Sequence, residues 1–242
     1  MTVALKGRGW APTRGNRHDT PRTQYASFPL WPRPSVRCRS HLFGVVIDMS
    51  HNILIGCEES QVVTNAFRAL GFNAFSCDLK PTRGNPEFHY QDDIFNVLPA
   101  KDWSLIILHP DCTAMSLSGN RWYGVGMPKH HYRKYAIKWT RQLWLHAMNF
   151  TDRLVLEKPT SVIFKHLNSP VQYIQPYQFG HGETKKTGLA LHNVPALAPT
   201  DEVPGRENRI WRMSPSANRK RDRSVTYPGI AAAMAQQWGA ML

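Results

Sequence analysis

Cys112 lies in HPDCTAMS, just past an apolar run and a proline, and Glu157 ends the apolar run of LVLEKPTSV. A cysteine just beyond a strand end is open to reactants, and a nearby cation or helix terminus moves it toward the nucleophilic thiolate. A carboxylic acid at the end of another strand can protonate a ring nitrogen while that thiolate adds to the ring. The pair thus has the means to activate an aromatic carbon that is otherwise inert to alkylation. Lys158 follows the acid directly and sets a cation at the same point. Taken alone, a single cysteine is more often structural than nucleophilic. Glu157 is what shifts that balance.

These residues can act together only if the elements that hold them lie side by side. NILIG is a short apolar run ending at Gly56, and CEES leads from it into QVVTNAFRAL, where Val62, Val63, Ala66, Phe67 and Leu70 recur at helical spacing. Ser60 is placed to cap that helix and Gly71 to end it. FNAFSCD reads as a second strand ending on Asp78, which completes a β-α-β unit. YQDDIFNVLP sets paired acids before an apolar pair, and WSLIILHPDC holds a buried-type strand from Leu105 to Leu108. After a Gly-rich loop, GNRWYGVGMP, the segment from Lys129 to Phe150 reads as a helix. It places Tyr132, Ala136, Trp139, Leu143 and Ala147 on one face and Lys134, Lys138 and Arg141 elsewhere, and Tyr132 and Trp139 are expected in the core. RLVLE returns to the sheet. Beyond Pro159 the text is irregular until TYPGIAAAMAQQWGAML closes as a helix introduced by Pro228 and Gly229.

Strands alternating with helices imply an α/β fold, a mostly parallel, doubly wound sheet with helices on both faces and sites at the strand carboxyl ends. The GCEES loop then offers backbone N–H groups and a positive helix end to a carboxylate or phosphate. Asp78 is placed to accept from ribose hydroxyls.

The formal charge of +13 on 242 residues points to a polyanionic partner. Residues 1–48 hold eight Lys/Arg against Asp19 and Asp48, so the remainder is still strongly basic without them. That first segment has five prolines before residue 40 and no apolar period, and reads as a disordered basic extension or a misassigned start ahead of Met49. A catalytic domain is expected over 49–242. Cys38, Cys57, Cys77 and Cys112 show no C-x-x-C spacing and fit free thiols of a reducing compartment. No apolar run approaches membrane-span length, so a cytoplasmic protein without membrane or obligate protein partners is expected. His130 and His131 fall on different helical faces with no matching ligands, so no metal is expected.

In this order the motifs resemble the DNA cytosine-5 methyltransferases, and most closely the short, divergent methylase-like proteins of bacteriophages. The resemblance covers residues 52–240. ILIGCEES looks like the donor-binding first motif, CDL the ribose-binding second and QDDI the adenine-contacting third. HPDCTAMS looks like the nucleophile loop, LEKP the motif of the catalytic glutamate, and TYPGIAAAMAQQWG the terminal motif that returns to the donor. QPYQFGHGETKKTGLAL and GRENRIWRMSPS also look like the phage group.

The resemblance implies a Rossmann-like class I S-adenosylmethionine-dependent fold acting on DNA, in a bacterial host cytoplasm if phage-encoded. Cys112 would attack cytosine C6, with Glu157 at N3 and the amino group of a base flipped from the duplex. Gly56, Cys57, Glu58, Glu59, Ser60 and Pro110 would border the donor, Asp78 and Asp93 would hold its ribose and adenine, and Ile94 would lie against the adenine face. Of the arginines expected to hold the base and the cysteine loop, Arg209 is preferred over Arg206 and Arg212. A target-recognition insert, about residues 160–225, would be small or absent.

Two departures from the family pattern stand at the site. Asp111 replaces the usual proline before the nucleophile, an anion that tends to raise a thiol pKa. Lys158 replaces the usual asparagine after the glutamate. A lysine beside a cationic methyl donor is electrostatically unhelpful, whereas it suits a donor bearing a carboxylate, such as carboxy-S-adenosyl-methionine, with 5-carboxymethylcytosine as product. Methylation, with Lys158 paired to Glu157 or Asp111 or touching a phosphate, stands beside that reading. From other classes, a nicotinamide-dependent oxidoreductase lacks its glycine fingerprint and leaves Cys112 idle. A non-catalytic nucleic-acid binder fits the charge and the aromatic residues Trp122 and Tyr123.

Overall fold

The computed structural model describes residues 51–242 in full and, before them, the backbone of two short strands, β1 (His41–Leu42) and β2 (Val45–Val46), paired antiparallel. Apart from that pair, the reading of residues 1–48 lies outside the described residues. From Asn52 the chain builds a seven-stranded sheet of β3 (Asn52–Gly56), β4 (Asn73–Cys77), β5 (His89–Tyr90), β6 (Leu105–Leu108), β7 (Leu154–Pro159), β8 (Val171–Ile174) and β9 (Thr187–His192). The strand order is β5-β4-β3-β6-β7-β9-β8, with β9 antiparallel to both its neighbours and the other pairings parallel. Helices are α1 (Val62–Ala69), α2 (Ile94–Val97), α3 (Asn120–Tyr123), α4 (His130–Ala147), α5 (Arg209–Arg212), α6 (Arg219–Ser224) and α7 (Pro228–Gly239). A chain that starts mid-sheet, steps out, crosses back and slots one reversed strand second from the edge has the Rossmann-like fold of class I S-adenosylmethionine-dependent methyltransferases. Such a fold hosts many chemistries, so function must come from the site. Among the described residues, no helix is long and apolar enough to cross a membrane.

The central strands are apolar on both faces because helices cover both. Alternation sends Ile53, Ile55, Leu105, Ile107 and Val155 into one layer, against Phe67 of α1 and Met234 and Trp238 of α7. Leu54, Ile106, Leu108, Leu154 and Leu156 face the other layer, against Leu143, Trp144 and Ala147 of α4. Helix α1 ends as the sequence implies. Gly71 adopts φ 87°, its N–H bonds the Arg68 carbonyl, and the Phe72 N–H bonds that of Phe67, whose rings meet edge to face at 5.9 Å.

Strands β8 and β9 of the main sheet lie inside the span 160–225, where an insert is expected to be small or absent. One expectation is corrected in part. Helix α4 keeps most of the expected face, with Leu143 and Ala147 buried and Ala136 and Trp139 packed against the core, but Tyr132 is 55% exposed and Arg133, Thr140 and Trp144 are buried beside that face. Position 133 turns inward because its guanidinium braces a loop, as described below.

Helix α7 docks at its first turn, where the Gly229 N–H donates to His181 Nε2 at 3.0 Å. A Cβ on Gly229 would lie 1.9 Å from the Phe179 carbonyl oxygen, which is backbone and cannot step aside cheaply. Gly229→Ala is expected to cost about 2–3 kcal/mol, a fall in Tm of roughly 5–10 °C in a thermal melt.

Candidate active site

Register brings the chemistry to one edge. Gly56 lies opposite Cys77 on one side and Leu108 on the other, and Leu108 lies opposite Leu156. The next residues out are therefore Cys57, Asp78, His109 and Glu157, each leaving its own strand at the same level. Asp78, Asp93, Asp111 and Lys158 all act electrostatically on Cys57, at the middle of this row. The sequence-predicted residues thus converge, from Asp78 on β4 across to Glu157 on β7.

The Cys112 loop turns directly after Pro110. Asp111 Oδ1 accepts from Thr113 N at 2.9 Å and Thr113 Oγ1 at 2.6 Å, and the N–H groups of Met115 and Ser116 bond the Cys112 carbonyl. Asp111 Oδ2 accepts from Lys220 Nζ at 2.9 Å. Burial alone would raise the Asp111 pKa, yet the hydrogen bonds from Thr113 and Lys220 prevail and hold it down at about 2. The anion before Cys112 is thereby held by Thr113 of its own loop and paired with Lys220 of α6.

Arg133 clamps the segment that follows. Nε donates to the Ala114 carbonyl at 2.7 Å, Nη1 to Asn120 Oδ1 at 2.7 Å and Nη2 to the Ser116 carbonyl at 3.1 Å. This arginine, and not Arg209, braces the cysteine loop. Arg209 instead pairs with Glu183 at 2.9 Å, and Glu183 also accepts from Tyr227 Oη at 2.6 Å.

Glu157 is largely buried, with Oε2 3.5 Å from His109 Nδ1. Burial favours its neutral form, but His109, Lys185 and Lys158 outweigh that and draw its pKa below the ordinary glutamate value. The other ring nitrogen of His109, Nε2, is buried without a hydrogen-bond partner among the described residues. Lys158 is 1% exposed and donates to the Pro110 carbonyl. None of the ion pairs of the described residues includes it. Burial therefore dominates and lowers its pKa to about 8, against the opposing pull of Cys112, Glu157, Asp111 and Cys57.

Two further cations that the sequence did not place at the site reach it, Lys185 and Arg223. Because β9 is antiparallel, its amino end lies at the carboxyl edge of β7, which delivers Lys185 beside Glu157 and Cys112. Lys185 Nζ donates to the Val225 carbonyl at 3.1 Å, tying that edge to the end of α6. Arg223, in α6, interacts with Cys112 as well. Lys158, Lys185 and Arg223 thus each interact electrostatically with Cys112. Cys57 differs: burial, with Asp78 next, pushes its thiol up to about 12.

The amino end of α1 is already filled. Glu58 Oε1 accepts from Val63 N at 2.7 Å, and Oε2 from Thr64 N at 3.2 Å and Thr64 Oγ1 at 2.7 Å. Glu58 therefore caps the helix that the sequence offered to an external anion, and Ser60 lies 3.5 Å from Val62 N as a minor contact. Glu59 faces Lys80 and Arg83 at 3.6 and 3.4 Å. Gly56 lets Ile94 in, since a Cβ there would fall 2.8 Å from Ile94 Cδ1 and from Leu108 Cδ2. Asp93 caps α2 by accepting from Phe95 N at 3.1 Å and keeps its side chain exposed. Asp78 accepts from Lys80 N at 3.0 Å through Oδ1. Among the described residues, no group of three or more His, Cys, Asp or Glu is arranged to hold a metal.

No protein-family model matches the chain, and no curated protein matches it. Among solved structures, the S. pombe Dnmt2 methyltransferase is similar at 16% identity over 69% of this chain and 56% of that one, with a TM-score of 0.42. The Entamoeba histolytica methyltransferase EhMeth is similar at 10% identity over 63% and 57%, with a TM-score of 0.42. A mutant of Spodoptera frugiperda DNMT2 is similar at 14% identity over 65% and 55%, with a TM-score of 0.35. The chain spans little more than half the length of each. Likeness of this degree leaves the chemistry to be argued from the residues themselves.

Proposed function

We propose that this protein alkylates C5 of cytosine in DNA, with S-adenosylmethionine as donor and 5-methylcytosine as product. The observation that carries the reading is the placement of Cys112 and Glu157 just past the ends of the adjacent parallel strands β6 and β7. The ordered motifs from ILIGCEES to TYPGIAAAMAQQWG support it, and so does the basic charge.

Cys112 Sγ, as thiolate, forms a bond to C6, and Glu157 gives a proton to N3, so that the ring electrons collect at C5. The donor supplies an electrophilic carbon on a sulfonium, which C5 takes as the sulfonium leaves as a neutral thioether. Loss of the C5 proton to a base then expels Cys112 as thiolate, and return of the N3 proton to Glu157 restores the neutral ring. Asp78 fits the ribose through its free oxygen, and Asp93 fits the adenine side through its exposed carboxylate. Once the base covers Glu157, excluded water favours the protonated acid that the chemistry needs.

A second reading is favoured by Lys158. A buried ammonium has three donors, and here it has one carbonyl acceptor. A donor bearing a carboxylate, as in carboxy-S-adenosyl-methionine, would satisfy the others and yield 5-carboxymethylcytosine. Incubating the protein with unmodified DNA and each donor in turn, then resolving the deoxycytidines by mass spectrometry, tests both readings. Methylcytosine supports the first and carboxymethylcytosine the second. No product from either donor would leave a nucleic-acid-binding protein without transferase activity.

A further inference from the structure

The segment that continues from the nucleophile loop is unlike the rest of the surface. From Cys112 to Thr151 there is no Asp or Glu, whereas Arg121, Lys129, Lys134, Lys138 and Arg141 are exposed there. The same stretch exposes Trp122 at 50%, Val125 at 88% and Tyr135 at 69%, with Leu117, Met127, Tyr132 and Leu145 open as well. A solvent-facing helix in a stable fold has no need of such aromatic groups. The Trp122 ring is flanked by the Arg121 guanidinium at 5.1 Å and the Lys129 ammonium at 6.0 Å. Along α4, Lys134, Lys138 and Arg141 recur at helical spacing on the exposed side, with Tyr135 beside them. Arg133 fixes this surface to Cys112 by bonding Ala114, Ser116 and Asn120 from the buried side of the same helix.

We propose that α3 and the exposed face of α4 form the track for an unpaired nucleic-acid strand, with a base stacked on Trp122 and phosphates along Lys134, Lys138 and Arg141. A positive groove lined with aromatic faces is how sequence-tolerant single-strand binding is built. Bases stacked within a duplex cannot present a face to Trp122, while an unpaired strand presents every base. Lys134 to Arg141 spans about 10 Å of helix, enough for two to three phosphates. The proposal refines the cytosine reading above by naming the form of substrate: the target base comes from a strand that needs no unpairing.

The test uses the full chain and short labelled oligonucleotides of one sequence as single-stranded DNA, single-stranded RNA and duplex DNA, titrated across a salt series. The wild-type protein is expected to prefer the single strands. Trp122→Ala should weaken single-strand binding by roughly 5- to 100-fold, with little change for the duplex. Replacing Lys134, Lys138 and Arg141 by Gln should reduce the slope of log K against log salt by about 2 on single strands. Relative affinity for the DNA and RNA strands then identifies which sugar the track accepts.

Trp122 is exposed, so a matching thermal melt separates lost binding from lost fold. A wild-type preference for duplex, or a Trp122→Ala variant that binds single strands unchanged, overturns the proposal. So does a Trp122→Ala variant that instead dissociates a dimer in sedimentation, which would assign the patch to a second copy of this chain. Covalent capture on 5-fluorocytosine, run in parallel, separates this proposal from the chemistry. Weakened binding with no wild-type adduct leaves the track standing without the reaction, and full capture by a variant with unchanged binding leaves the reaction without the track.

Discussion

Replacing Cys112 by Ser is expected to abolish covalent capture of a 5-fluorocytosine strand while leaving its binding within about twofold of wild type. Fluorine at C5 cannot leave as the proton does, so an enzyme that adds Cys112 to C6 and transfers its group stays joined to the strand and shifts on a denaturing gel. Serine keeps the shape, but its hydroxyl has no thiolate form near neutrality, and Lys158, Lys185 and Arg223 can do little for a group that does not ionise. Turnover on ordinary cytosine should fall by at least about 10⁴-fold, as it does when other enzymes lose their nucleophile. No other thiol of the described residues is ready to substitute. Cys57 is pushed up to about 12 by burial and the neighbouring Asp78, and the buried Cys77 is raised further by the same causes acting with Cys57. An adduct that survives in the serine variant would therefore overturn the assignment of Cys112, whatever product the wild type makes.

Why the places of Cys112 and Glu157 at the sheet edge could be read from the sequence, when those of their neighbours could not, follows from the strands that carry them. Strands β3, β6 and β7 are buried on both faces, so they appear as plain apolar runs, and a residue just beyond such a run must sit at the sheet edge. Strand β9 also has a buried body, yet it begins in the polar stretch ETKKTG and follows a short, half-exposed β8 in a proline-rich region, so nothing announced a reversed strand. Lys185 reaches Glu157 only through that reversal. Lys220 and Arg223 meet the Cys112 loop across about a hundred residues of chain, a closure that no local pattern encodes.

Helix α4 shows a different limit. Its apolar period is real, but a buried arginine with three acceptors can displace an aromatic from the core, and in the first turn Arg133 lies inside while Tyr132 is left outside. At α1 the glutamate that looked available to a ligand was spent on its own helix, because Glu58 stands just far enough ahead of Val63 and Thr64 to fold back onto both.

Lys158 carries the second large effect, and it is visible in stability before any donor is added. Its folded pKa is lowered to about 8 from 10.5, chiefly by burial. Between those values the folded protein binds fewer protons than the unfolded chain, so this lysine makes stability rise with pH through that window. Below about pH 8 the cost is fully present, on the order of 3 kcal/mol. Lys158→Met should therefore be more stable than wild type at pH 7 by up to about 3 kcal/mol in urea unfolding, with the gap closing by about pH 10.5. A variant that is less stable at pH 7 would mean that the ammonium already has the partners it needs. A donor that brings a carboxylate to Lys158 would repay the buried charge, and a charge-assisted hydrogen bond of that kind contributes about 1.5–3 kcal/mol. Lys158→Asn should then move the ratio of kcat/KM values for S-adenosylmethionine over carboxy-S-adenosyl-methionine upward by roughly 10- to 150-fold. An unchanged ratio would separate the lysine from donor choice and leave its ammonium the role of holding the Pro110 carbonyl, and with it the Cys112 loop, against the end of β7.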